Sequence, residues 1–141
     1  MKNVSVIYWS HGGNVEVLAD QIAKGAEAAG ARVSIKYVSD AKVIDVTDAD
    51  AVAFGSPSMD NNSVEKTEML PFINQFKLLP NNGKKVVLFG SFGWDEGKFM
   101  KDWKAIMEDY GFDVLDELTV KESPNSSELE KAKELGALLA K

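Results

Sequence analysis

Tyr8-Trp9-Ser10-His11-Gly12-Gly13-Asn14 ends the first hydrophobic run of the chain, Val4 to Trp9, in a short loop of Ser, Gly and one large side chain. The same construction returns twice. Gly55-Ser56-Pro57-Ser58-Met59-Asp60 follows Ala51 to Phe54, and Gly90-Ser91-Phe92-Gly93-Trp94-Asp95-Glu96-Gly97 follows Val86 to Phe89. In an open parallel sheet, loops at the carboxyl ends of the strands converge on one crevice where the strand order reverses. The three loops therefore predict a single site: a nest of backbone amides for a phosphate group, and Met59 and Trp94 for a flat ring.

Outward from these loops, the three runs are continuous and apolar, as strands covered on both faces are. Arg32-Val33-Ser34-Ile35-Lys36-Tyr37-Val38 alternates instead, which suits a strand nearer the sheet edge. Phe112 to Val120 supplies a fifth strand, with an interruption expected around Asp116-Glu117. Between the strands the period changes to about 3.6. Val15, Leu18, Ile22 and Ala26 share one helix face, Phe99, Trp103, Ile106 and Tyr110 a second, and Leu129, Ala132, Leu135 and Leu139 a third. Gly30 and Gly111 stand where helices should stop, Pro71 fits a first turn, and Ser127 with Glu130 predicts a capping box opening the last helix. Strand and helix alternate five times, so the chain reads as one α/β domain over residues 1–141, a three-layer sandwich with right-handed crossovers.

Composition narrows the chemistry. A chain of 141 residues buries roughly two-thirds of its unfolded surface without a staple. The sequence has no Cys, which removes disulfides, thiolate metal sites and a cysteine nucleophile, and fits a reducing cytoplasm. No apolar stretch reaches the roughly 20 residues that span a bilayer. A net charge of −6 argues against nucleic acid or an anionic membrane as partner and favours docking to basic surfaces.

Among doubly wound domains, a receiver domain would need acidic residues where Ser10-His11 and Gly55-Ser56 stand. A low-molecular-weight phosphatase needs a Cys in its first loop, and a P-loop nucleotidase needs Lys-Ser/Thr after its glycines. The dinucleotide fingerprint G-x-G-x-x-G is missing from the first loop as well. Over nearly its whole length the chain resembles flavodoxin, in particular the short-chain clostridial type. YWSHGGNVE is similar to that family's YWSGTGNTE loop, Gly55 to Pro71 keeps the family's length and its Met before a tight turn, and GSFGWDEGKFM is similar to GSYGWGDGKWM. The resemblance implies a five-stranded parallel sheet in the order 2-1-3-4-5 and low-potential electron transfer through tightly held, noncovalent FMN. It implies no catalytic residue, no metal and no enzyme activity apart from partner proteins. A monomer that meets its reductase and acceptor through their basic surfaces is expected.

By this resemblance the phosphate lies against Ser10, His11, Gly12, Gly13, Asn14 and Val15, at a helix N-terminus whose unpaired N–H groups attract an anion. Gly12 and Val15 replace two threonines of the family pattern. Weaker phosphate capture is therefore expected, with restoration by Gly12→Thr and Val15→Thr. His11 replaces a Gly, and pairing with the phosphate and lying in solvent are both open to it. Met59 and Trp94 match the family positions on the two ring faces. Asp60, Asn61 and Asn62 occupy the turn, Asn62 replacing an acid that accepts a hydrogen bond from the pyrimidine end. Ser56, Pro57, Ser58, Ser91, Phe92, Gly93, Asp95 and Gly97 complete the cofactor-binding set. Trp9 and Trp103 are assigned to packing. Two alternatives stand beside this reading: a small flavin-dependent quinone or NAD(P)H reductase, and a flavodoxin-like module with weakened FMN binding.

Overall fold

A computed structural model describes residues 2–58, 64–92 and 98–141. Its elements run β1 (Asn3–Tyr8), α1 (Asn14–Ala28), β2 (Arg32–Tyr37), α2 (Val43–Thr47), β3 (Ala51–Gly55), α3 (Met69–Asn74), β4 (Lys85–Phe92), α4 (Lys98–Asp109), β5 (Asp113–Lys121) and α5 (Ser126–Leu139). The five strands form one sheet in the order β2-β1-β3-β4-β5, every neighbouring pair parallel. Both the expected order and the expected alternation are present. Among the described residues, no helix is long and apolar enough to cross a membrane.

Strand burial follows position in the sheet. All five residues of β3, in the middle, are buried, whereas β2 at the edge has none that is fully buried. The interruption expected near Asp116 is a bulge. Val86 pairs with Val114 and Val87 with Asp116, so Leu115 is the extra residue, and the inserted residue bends the edge strand.

Each face of the sheet carries its own core. Val4, Val6, Val87, Phe89 and Val120 pack against Val15, Leu18 and Ile22 of α1 and Leu135 and Leu139 of α5. On the other face Ile7, Val52, Phe54 and Leu88 pack against Phe72 and Ile73 of α3 and Phe99, Trp103 and Met107 of α4. α1 and α4 end near the expected glycines through paired bonds that close their last carbonyls: Ala31 N–H to Ala26 O and Gly30 N–H to Glu27 O in one, Phe112 N–H to Met107 O and Gly111 N–H to Glu108 O in the other.

Local details depart from the sequence reading. The capping box of α5 is Asn125 with Glu128, not Ser127 with Glu130: Asn125 Oδ1 accepts the Glu128 N–H at 2.8 Å and Glu128 Oε1 accepts the Asn125 N–H at 2.9 Å. Asn caps at least as well as Ser and lies two residues earlier, so the helix starts there. Trp9 stands outside β1, Val38 opens a 3-10 turn after β2, and Tyr110 lies beyond α4 and is half-buried.

Trp103 is fully buried, in keeping with its packing role, and its Nε1 finds no acceptor among the described residues. Truncation would trade an uncompensated donor for a large void, and the void dominates. Trp103→Ala is expected to lose about 3–5 kcal/mol of stability in chemical denaturation, with ligand affinity changed less than about threefold. A loss under about 1 kcal/mol would contradict the core assignment.

Candidate functional site

The loops after β1, β3 and β4 all leave the sheet at the strands' carboxyl ends. The first two are also bonded to the neighbouring strand. Trp9 N–H donates to Gly55 O at 2.9 Å, Ser56 N–H to Phe89 O at 3.1 Å and Ser58 N–H to Ser91 O at 2.8 Å. Main-chain bonds thus tie the segment after β1 to the end of β3, and the segment after β3 to β4.

In the first loop, Gly12 and Gly13 have φ of 91° and 93°, and no atom stands within 4 Å of where a Cβ would be. Gly13 is the N-cap of α1 and offers no side chain to the helix. Ser10 Oγ accepts the N–H of Glu16 at 3.4 Å, and Ser10 O accepts the Tyr37 hydroxyl at 3.4 Å. Gly12 and Gly13 lead into the N-terminus of a 15-residue helix, where unpaired N–H groups and the helix dipole favour an anion. The same φ values overturn the expectation that Gly12→Thr restores a contact. A β-branched side chain at φ near 90° is strained whatever the space around it.

Other members of this set are placed differently from one another. Val15 is 1% exposed and its side chain belongs to the α1 core, so only its main chain remains for a ligand. Asn14 opens α1, and its Oδ1 accepts the Ser123 hydroxyl at 3.4 Å. His11 is exposed and stacks beside the Trp9 indole, centroids 6.3 Å apart and planes at 26°. Trp9 is itself held by Nε1 donating to Glu68 Oε1 at 3.1 Å.

In the second loop, Ser56 is fully buried, and its hydroxyl donates to Pro57 O at 2.8 Å while accepting the Glu65 N–H at 3.0 Å. Its side chain therefore fastens the loop and is already committed. Pro57, Ser58 and Phe92 are half-buried, and Ser91 is buried within β4. Met59, Asp60, Asn61, Asn62, Gly93, Trp94, Asp95, Glu96 and Gly97 lie outside the described residues.

Sequence reasoning missed Glu65. It is 2% exposed, and its carboxylate accepts the N–H groups of Thr67 at 2.8 Å, Glu68 at 2.8 Å and Met69 at 2.9 Å as well as the Thr67 hydroxyl. An acidic residue just ahead of a helix whose third residue is Pro71 was the available signal. Burial pushes this carboxyl up, but the bonds from Thr67, Met69 and Glu68 outweigh it and hold its pKa below the ordinary 4.5. Asp45, mainly through the Lys42 N–H and then Lys36, is also lowered; so is Asp116, where the Lys131 contact overcomes burial.

A carboxyl with a depressed folded-state pKa stabilises the fold above its unfolded value, and that contribution disappears as pH falls through the folded value. Thermal stability should therefore hold down to about pH 5 and fall below about 4.5. Glu65→Gln should flatten part of that fall. A melting temperature independent of pH from 5 to 3 would contradict the assignment.

The chain matches the family model described as Flavodoxin over residues 6–136. It is 39% identical to a flavodoxin of Megasphaera elsdenii over 139 residues, covering 98% of each chain. It is 36% identical to a flavodoxin of Clostridium beijerinckii over 126 residues, 89% of this chain and 91% of the other. The solution structure of two-electron reduced Megasphaera elsdenii flavodoxin superposes with a TM-score of 0.84 at 36% identity, covering 96% of this chain and 98% of that one.

Proposed function

The chain belongs to the flavodoxin family, and on that premise we propose how its residues hold the cofactor and meet their partners. It is an FMN-binding electron-transfer protein. The described residues fit that group: Gly12 and Gly13 leave an open cradle before an N-terminus whose N-cap residue has no side chain, at the same end of the sheet as the loop after β3. That cradle is the observation that carries the reading. Bound FMN supplies one-electron redox chemistry.

The chain's own part is binding, orientation and exclusion of water. Main-chain N–H groups from Ser10 to Val15 would take the phosphate, with the helix dipole adding to them. The segment from Pro57 to Asn62 and that from Ser91 to Gly97 would border the ring, Met59 and Trp94 lying on its two faces. Asn62 would accept a hydrogen bond at the pyrimidine end through its amide carbonyl. With a net charge of −6, the protein would meet basic surfaces of a reductase and an acceptor, acting as a monomer in the cytoplasm. It would have no enzymatic turnover apart from those partners.

The test is spectroscopic. Purified protein should show a flavin absorbance spectrum, and the apoprotein should bind FMN at least about tenfold more tightly than riboflavin, because the nest recognises only the phosphate. NADPH alone should leave that spectrum unbleached. Equal affinity for the two flavins would remove the nest from the reading, and bleaching by NADPH alone would favour the reductase alternative.

A further inference from the structure

We propose that Glu65 is a positioning residue for the ring side of the FMN site, clamping the start and the return of the loop after β3 into one rigid unit; this rests on the FMN reading above. The chain passes Ser56 on leaving β3 and reaches Glu65 ahead of α3, and these two residues are bonded to each other, Glu65 N–H to Ser56 Oγ at 3.0 Å. Ser56 is anchored to β4 through Phe89 O, and Ser58 through Ser91 O. On the return side the Glu65 carboxylate collects three N–H groups and a hydroxyl from Thr67, Glu68 and Met69, while Glu65 O accepts the Leu70 N–H at 2.9 Å. Segment 59–63, which carries Met59 and Asn62, joins these two anchors.

The choice of residue is the informative point. Burying a carboxylate is costly unless its oxygens are fully hydrogen-bonded, and no cation pairs with Glu65 among the described residues. A neutral Ser or Asn caps a six-residue helix such as α3 without that cost. A carboxylate accepts on both oxygens and donates on neither, so it gathers four donors that a neutral cap could not. That capacity joins the helix start to the loop anchor at Ser56. Glu65 makes no contact with the cofactor in this account and acts through the loop.

Three variants test it: Glu65→Gln, Ser56→Ala and the double. Gln has the same shape but turns an NH2 group toward N–H donors. Measured well below the melting temperature, Glu65→Gln should raise the apoprotein Kd for FMN and for riboflavin by the same factor, about tenfold, since both flavins share the ring and the phosphate nest is built on β1 and α1. The absorbance of the bound flavin should shift with it. Ser56→Ala should act in the same direction, and the double variant should be no weaker than the worse single, because either change opens the same clamp. Thr67→Val, which keeps the charge and three of the four donors, should give a smaller effect of the same sign and stays informative if Glu65→Gln does not fold. A lower melting temperature with unchanged flavin affinity and spectrum would overturn the proposal, as would additive losses in the double variant. A parent protein that binds neither flavin would overturn the FMN reading instead.

Discussion

Gly90→Ala should lower stability by about 2–3 kcal/mol and weaken FMN binding about tenfold or more, a combined effect that no conservative change at a single contact residue should match. A Cβ on residue 90 would stand 2.1 Å from the carbonyl oxygen of Ser56 and 2.9 Å from Cζ of Phe99. The first obstacle is main chain. The segment after β3 runs alongside β4 at this point, held by the Ser56 N–H bond to Phe89 O, so relief requires it to move away from its neighbour. The Phe99 ring blocks the other direction, since it is fully buried between α4 and the sheet. Thermal unfolding and FMN titration of the same variant check both halves. A destabilised variant with parental affinity would show that the loop's path is set elsewhere.

Gly136→Val is expected to act mainly on folding, with a loss of about 3 kcal/mol or more, seen as a fall of roughly 10 °C in melting temperature. α1 and α5 touch through their backbones: a Cβ at Gly136 would lie 2.0 Å from Ile22 O and 2.7 Å from Ala26 N, and one at Gly25 would lie 2.0 Å from Lys133 O. Two reciprocal contacts of this kind fix the spacing of the helix pair. Ala at either position regains about 1 kcal/mol of helix propensity, which offsets part of the steric cost and makes Ala milder than Val. Because the proposed phosphate nest lies at the other end of α1, FMN affinity in Gly136→Val should fall less than stability does. Melting temperatures equal to the parent's would mean that the helices separate at little cost.

The reading of Tyr8 to Asn14, its two counterparts and the periodic stretches between them was sufficient for the strands and the placement of the main helices. These depend on periodicity and on where glycines interrupt it, and both are properties of short stretches of chain. Val4, Val6, Leu18, Ile22, Leu135 and Leu139 are buried as their spacing requires. The start of α5 was misplaced because Asn125-x-x-Glu128 and Ser127-x-x-Glu130 are near-equivalent caps in sequence, and the fold admits only one.

The roles of individual polar groups were a different matter. That Ser56 spends its hydroxyl on Pro57 and Glu65, that Val15 turns into the core, and that Gly12 holds a φ closed to threonine are each fixed by the folded geometry of one position. Residues 90 and 56, and 136 and 22, are far apart along the chain and approach closely across the fold. Sequence by itself determined the architecture, since hydrophobic patterning is local and summed over many residues. Only the tertiary structure decided the hydrogen-bond partners and the close backbone approaches, since each is settled by a single neighbour that no local pattern names.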